Sequence, residues 1–321
     1  MLPISRRQFV WSAATATAVF GLNGPITFYN PASAQTSTTP VFKRFKVGDI
    51  EVVQFYDGLW QKSHDPGFIK NATVDETKKA LTDAGLTDAH VPITFTVTLV
   101  KIGDRTVMFD SGTGGQMSPM AGLMMKEGFA AAGVDPKSIS TIVVTHFHGD
   151  HISGLMAKDT NAQVFPDAEI VVPAAEYKFW TDPALIASMP EGARGGVQRI
   201  QATFPNWKNV RQVESDTDVM PGIRSVATPG HTPGHTSYLV TSGNAQLMVL
   251  GDVANMPALN VRNPGWHLAF DRDPAMAEAN RRTMFDRVVA DKVIVTGYHF
   301  GLPGAGSIAK DGKGYAFTPV T

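Results

Sequence analysis

The chain has 321 residues, 43% of them hydrophobic and 18% charged, with a net charge of -1 at pH 7. That mixture suits a globular enzyme with a sizeable core and excludes an intrinsically disordered chain, while the near-neutral charge excludes a surface built to hold nucleic acid. Cysteine is absent, so disulfides and thiolate metal ligands are excluded, and any bound metal must rest on His, Asp or Glu.

In chain order, residues 1–34 read as a twin-arginine-type signal peptide. Arg6-Arg7 precedes a mostly apolar stretch from Phe9 to Leu22, and Ala32-Ser33-Ala34 is a small-residue cleavage site before Gln35. The stretch is shorter than the ~20 residues a membrane span needs. The expectation is therefore a periplasmic or secreted protein with no stable membrane insertion after cleavage. The leader holds two of the 28 basic residues and no acid, which leaves 26 basic against 29 acidic residues beyond it. Residues 35–40 are a Ser/Thr/Pro linker, and residues 41–321 form one folded domain.

Apolar runs predict strands at 50–56, 95–100 and 106–109, the last two joined by Gly103-Asp104. Further strands are expected at 141–144, 169–172, 225–227, 237–240, 246–250 and 292–295. Helical periodicity predicts helices over 118–132, 174–180 and 274–290, the last with Asp273 as N-cap and Pro274 in its first turn. Strands alternating with helices and hairpins indicate an α/β layered fold.

The sharpest motif is His146-Phe147-His148-Gly149-Asp150-His151, placed directly after the apolar strand 141–144. In extended chain His146 and His148 point the same way, so both reach one ion. Asp150 and His151 lie past the strand, where the chain turns toward a second ion. Three weaker signals follow, each at a strand end, where α/β sheets gather ligands. They are the turn Thr228-Pro229-Gly230-His231-Thr232-Pro233-Gly234-His235, in which two histidines compete for one role, then Gly251-Asp252, and Tyr298-His299. Two cations so held are expected to lower the pKa of a shared water, giving a metal-bridging hydroxide that would attack a carbonyl carbon or a phosphorus centre.

This pattern resembles the metallo-β-lactamase superfamily, in which H-x-H-x-D-H is followed by His, Asp and His. Asp110, in Phe109-Asp110-Ser111-Gly112, matches an early strand-end aspartate of the same family. The resemblance implies a single-domain, four-layer αββα sandwich. It implies one ion on His146, His148 and His235, another on Asp150, His151 and His299, and Asp252 bridging both. His231 is then structural or supporting. The ions are expected to be two divalent metals, zinc by default, with Asp150 and Asp252 as the catalytic carboxylates. Local runs such as Ala175-Glu176-Tyr177-Lys178-Phe179-Trp180 resemble the methyl parathion hydrolase-like branch, which includes lactonases and arylesterases. That branch implies a small-molecule ester substrate (lactone, aryl ester or organophosphate triester) and a homodimer. Trp180, Trp60, Met124 and Asn255 are the candidate pocket residues.

Rival readings share the metal motif. A β-lactamase-type amide hydrolase fits less well, because those enzymes use Cys or lack the bridging aspartate. A glyoxalase II-like thioesterase carries a C-terminal helical substrate region, whereas this chain ends soon after His299. A non-catalytic metal-binding protein is the weakest fit to a full dinuclear ligand set.

Overall fold

The structure, a computed structural model, describes residues 40–321; the expected leader and all but the last residue of the linker lie outside the described residues. Among the described residues, two seven-stranded sheets carry the fold. The first comprises β1 (Phe42–Val47), β2 (Ile50–Lys62), β3 (Val91–Ile102), β4 (Arg105–Phe109), β5 (Thr141–Val143), β6 (Glu169–Pro173) and β7 (Val210–Val213), side by side in chain order. Its pairs are antiparallel as far as β4 and parallel from β4 to β7. The second comprises β8 (Asp218–Met220), β9 (Ile223–Ala227), β10 (Thr236–Ser242), β11 (Ala245–Gly251), β12 (Ile294–Gly297), β13 (Ala305–Asp311) and β14 (Gly314–Pro319). Only β11 and β12 pair in parallel there. The helices are α1 (Val74–Asp83), α2 (Phe129–Ala132), α3 (Gly149–Ile152), α4 (Ala174–Thr181), α5 (Leu185–Ser188), α6 (Glu191–Thr203) and α7 (Pro274–Ala290).

The layering follows from the period-two alternation of strand side chains. Val107, Phe109, Val143 and Val171 face across to Tyr238, Val240, Leu247 and Val249 of the second sheet, forming the central core. Their neighbours Met108, Ile142, Ile170 and Val172 point the other way, onto Phe129, Trp180, Val197 and Ile200. Leu239, Met248 and Leu250 pack outward on Met284, Phe285 and Val288 of α7. Each such side chain contributes roughly 1.5–3 kcal/mol when fully buried. Helices, sheet, sheet and helix make the expected four-layer αββα sandwich, and residues 40–321 form one compact unit. No helix among the described residues is long and apolar enough to cross a membrane.

The central strands and α7 lie where the periodicity places them. Asp273 caps α7 through its side chain, which accepts from the Met276 N–H at 3.0 Å. The expected helix over 118–132 is corrected. Residues 118–122 are irregular, and a π-helical turn at Met124–Gly128 leads into the short α2. The segment instead packs against β2, because Gly58 (φ 112°) brings its backbone against Met120 so closely that a Cβ would lie 1.9 Å from the carbonyl oxygen. The same residue sits at a bulge, beyond which β2 runs on to Lys62 and carries Trp60 to the sandwich edge where the histidines lie.

Candidate metal centre

The H-x-H segment follows β5, with the imidazoles of His146 and His148 4.6 Å apart between centroids and the intervening Phe147 buried against Phe204. His148 is the extended N-cap of α3, and the first turn of that helix swings Asp150 and His151 round. Three groups of donor atoms converge within 4.8 Å: His146, His148 and His231; His146, His151 and Asp252; and Asp150, His151 and His299. Asp252 touches both ends of the set. Its Oδ2 lies 3.3 Å from His231 Nε2 and 3.1 Å from His299 Nε2, and its Oδ1 lies 3.3 Å from His151 Nε2. It thus lies within reach of histidines at both ends of the cluster.

One expectation is reversed. His235 does not join the cluster, and His231 does. The Nε2 of His235 accepts the Asp252 backbone N–H at 2.9 Å, and its Nδ1 lies 3.1 Å from the Thr228 carbonyl. Both ring nitrogens are thereby engaged in a neutral tautomer that donates from Nδ1. Burial, reinforced by repulsion from His231, holds His235 down at about 3. His231 instead directs Nε2 to within 2.9 Å of His148 Nδ1, while its Nδ1 is fixed 2.9 Å from Asp271 Oδ1.

The donors fit divalent cations. His146 Nε2, His151 Nε2 and Asp252 Oδ1 are buried with no hydrogen-bond partner, a state that costs free energy unless an ion completes it. Burial, then repulsion from neighbouring imidazoles, holds His146 and His148 well below the usual histidine range, in the neutral form that ligates. Burial acts downward on His231 and His151 too, but carboxylates outweigh it. Asp252 and Asp271 hold His231 up at about 9, and Asp252, Asp110 and Asp150 raise His151. The carboxylates thus demand positive charge at this spot, which protons supply when cations do not.

Supporting groups orient these rings. Asp110 adopts φ 61°, a left-handed conformation uncommon for a residue with a Cβ. It is held there by accepting the Thr145 N–H at 2.7 Å, and its Oδ2 lies 2.7 Å from His151 Nδ1. The arrangement sets the His151 tautomer. Asp271 is in turn paired with Arg281, a fully buried guanidinium that donates to the carbonyls of Val253 and Pro264. Neither Asp271 nor Arg281 sits in a recognisable motif, so sequence reasoning missed both.

The centre floors a cleft of about 340 Å³ lined by His148, Asp150, His231, Asp252 and His299. Its walls are Trp60, Ile93, Phe95, Met117, Phe270 and Asn255. Of the candidate pocket residues, Trp60 and Asn255 line this cleft, and Ile93, Phe95 and Phe270 were missed because each looks like an ordinary core residue. Trp180 and Met124 do not line the cleft. Trp180 lies behind His148, with its indole N–H donating to Glu176 Oε1 at 2.6 Å. Met124 is fully buried against the first sheet.

With this geometry in view, the likenesses to known proteins are specific. The family model described as "Metallo-beta-lactamase superfamily" matches residues 96–300. An N-acyl homoserine lactonase from a Bacillus species is 29% identical over 164 residues, covering 51% of this chain and 56% of that protein. The N-acyl homoserine lactonase AttM of Agrobacterium fabrum is 30% identical over 125 residues, 37% of this chain and 43% of that protein. The chain thus spans about half the length of the curated relatives it matches. The solved structure of AidC, a dizinc quorum-quenching lactonase in complex with a homoserine product, superposes with a TM-score of 0.81 at 25% identity, covering 87% of this chain and 97% of AidC. The hydrolase AbOPH shares the fold with a TM-score of 0.80 at 24% identity over the same shares.

Proposed function

Since the chain belongs to the metallo-beta-lactamase superfamily, we propose that it is a dinuclear metal-dependent hydrolase that opens lactones of the N-acyl homoserine type. The observation that carries this reading is the cleft itself: two converging donor sets joined by Asp252 lie beneath walls that are almost wholly apolar. The lactonase relatives support the choice of substrate. His146, His148 and His231 would hold one cation, and Asp150, His151 and His299 the other, with zinc favoured by an all-His/Asp donor set. When bound, such cations polarise a carbonyl oxygen and make water nucleophilic near neutral pH.

The remaining work falls to the protein. Trp60, Ile93, Phe95, Met117 and Phe270 seat an acyl chain and keep bulk water away. Hydrolysis joins the water oxygen to the carbonyl carbon, breaks the ring C–O bond and leaves one water proton on the freed hydroxyl. Asp150, with 18% of its side chain exposed on the cleft floor, is placed to deliver that proton. The twin arginine and the Ala32-Ser33-Ala34 site support export to the periplasm, which fractionation of cells producing the full chain would test.

The decisive assay compares kcat/KM for a long-chain acyl-homoserine lactone with that for a methyl phosphotriester, on metal-analysed protein. A large ratio is expected. A ratio below one would assign the cleft to organophosphate triesters and overturn the lactonase reading.

A further inference from the structure

The two ligand loops of the first donor set come from different sheets. His146 and His148 follow β5 of the first, whereas His231 lies in the turn between β9 and β10 of the second. The strand ends beneath them are joined by the Thr236 N–H, which donates to the Thr145 carbonyl at 3.1 Å, and by the Tyr238 hydroxyl, which donates to the Val144 carbonyl at 2.9 Å, but neither bond reaches the residues that flank His148 and His231. One buried side chain touches both. Glu176, in the first turn of α4, accepts the Phe147 N–H at 2.9 Å and the Trp180 indole N–H at 2.6 Å on Oε1. On Oε2 it accepts the Thr232 hydroxyl at 2.8 Å and the Gly234 N–H at 2.9 Å. Phe147 is the residue between the two histidines of H-x-H, and Thr232 directly follows His231.

The ionised carboxylate is acceptor-only and has capacity for all four donors, which offset the burial that pushes Glu176 up. Gly234 gives an independent sign of how closely the loops are drawn in. A Cβ there would lie 2.1 Å from the Glu176 backbone nitrogen, so the turn is pressed onto the start of α4. Trp180, one helical turn on from Glu176, stands edge-on to His148 with ring centroids 6.0 Å apart. Its indole is locked by the same carboxylate.

We propose that Glu176 is a positioning residue for the metal centre, a single buried carboxylate that clamps the ligand loops of the two sheets together and sets the spacing of His148 and His231. The inference rests on the dinuclear reading above. It assigns selectivity as well as importance, because Asp150, His151 and His299 share no hydrogen bond with Glu176 and are held by Asp110, Tyr298 and the Thr94 carbonyl instead.

The test is the stepwise metal affinity of Glu176→Gln, read by competition against a chromophoric zinc chelator, beside thermal unfolding of the metal-free protein. Glutamine keeps the shape but offers one acceptor oxygen and turns an NH2 toward two donors. Wild type should bind two zinc ions per chain. The variant should hold one with unchanged affinity and the other about 10–100-fold more weakly, the range for lost supporting contacts to metal ligands. Equal weakening of both sites, or two ions bound as in wild type, would overturn the assignment. If Glu176→Gln fails to fold, Thr232→Val and Trp180→Phe each remove one of the four bonds. Each should then weaken one zinc site several-fold, and no change in either would refute the clamp. Failure of wild type to bind two ions would instead remove the dinuclear reading and this inference with it. Two ions bound without lactone turnover would remove only the proposed substrate.

Discussion

Replacing His231 with alanine separates the structure from the alternative that the sequence left open. The Nε2 of His231 is one of three donors in the first set, and its loss leaves His146 and His148 alone. Structural zinc sites release about 10–16 kcal/mol over four ligands, so one ligand is worth roughly 3 kcal/mol, or about two decades of affinity. His231→Ala should therefore lose one of its two zinc ions at free metal levels that saturate wild type. His235→Ala acts differently. It removes the acceptor of the buried Asp252 N–H, which costs about 1–3 kcal/mol and lowers the melting temperature by several degrees, at roughly 2–4 °C per kcal/mol for a chain of this order. The assay is a zinc competition titration of both variants, paired with melting curves of the metal-free proteins. Two ions at wild-type affinity in His231→Ala, together with loss of an ion in His235→Ala, would refute the assignment.

Two further outcomes test other parts of the site. Asp110→Asn removes the charge that lies 2.7 Å from His151 Nδ1; it should weaken the second zinc site about 10–100-fold and spare the first, and a uniform loss at both sites would count against a local role. Trp60→Ala opens an apolar wall of the cleft, where each buried methylene is worth about 0.8 kcal/mol. It should lower kcat/KM roughly tenfold for a ten-carbon acyl chain and little for a four-carbon one; equal losses would mean that Trp60 does not contact the chain.

Much of the molecule was legible without coordinates. The strands at 106–109, 141–144 and 169–172 are short apolar runs, and any such run bounded by turn residues is a buried strand candidate. The start of α7 was legible because Asp273 and Pro274 act within one turn of backbone. The start of α1 carries an equally local signal: Thr73 and Glu76 form a reciprocal capping box, overlooked in a segment with few apolar residues. The stretch 118–132 misled for the opposite reason. Its methionines are spaced like a helix face, yet the close approach of Gly58 to Met120, set by a strand far back in the sequence, holds residues 118–122 out of helix.

The cluster His146, His148, Asp150 and His151 is determined by the sequence itself, because alternation along a strand and one turn of helix suffice to bring those side chains together. The choice between His231 and His235 is not. Thr228-Pro229-Gly230-His231 and Thr232-Pro233-Gly234-His235 are the same four residues twice over, so no local rule distinguishes the two histidines. Tertiary structure decides between them through groups far along the chain. The Asp252 N–H occupies the Nε2 of His235, while Asp271 holds the ring of His231 with its Nε2 toward His148. A ring nitrogen that already accepts a buried hydrogen bond has no lone pair left for a metal.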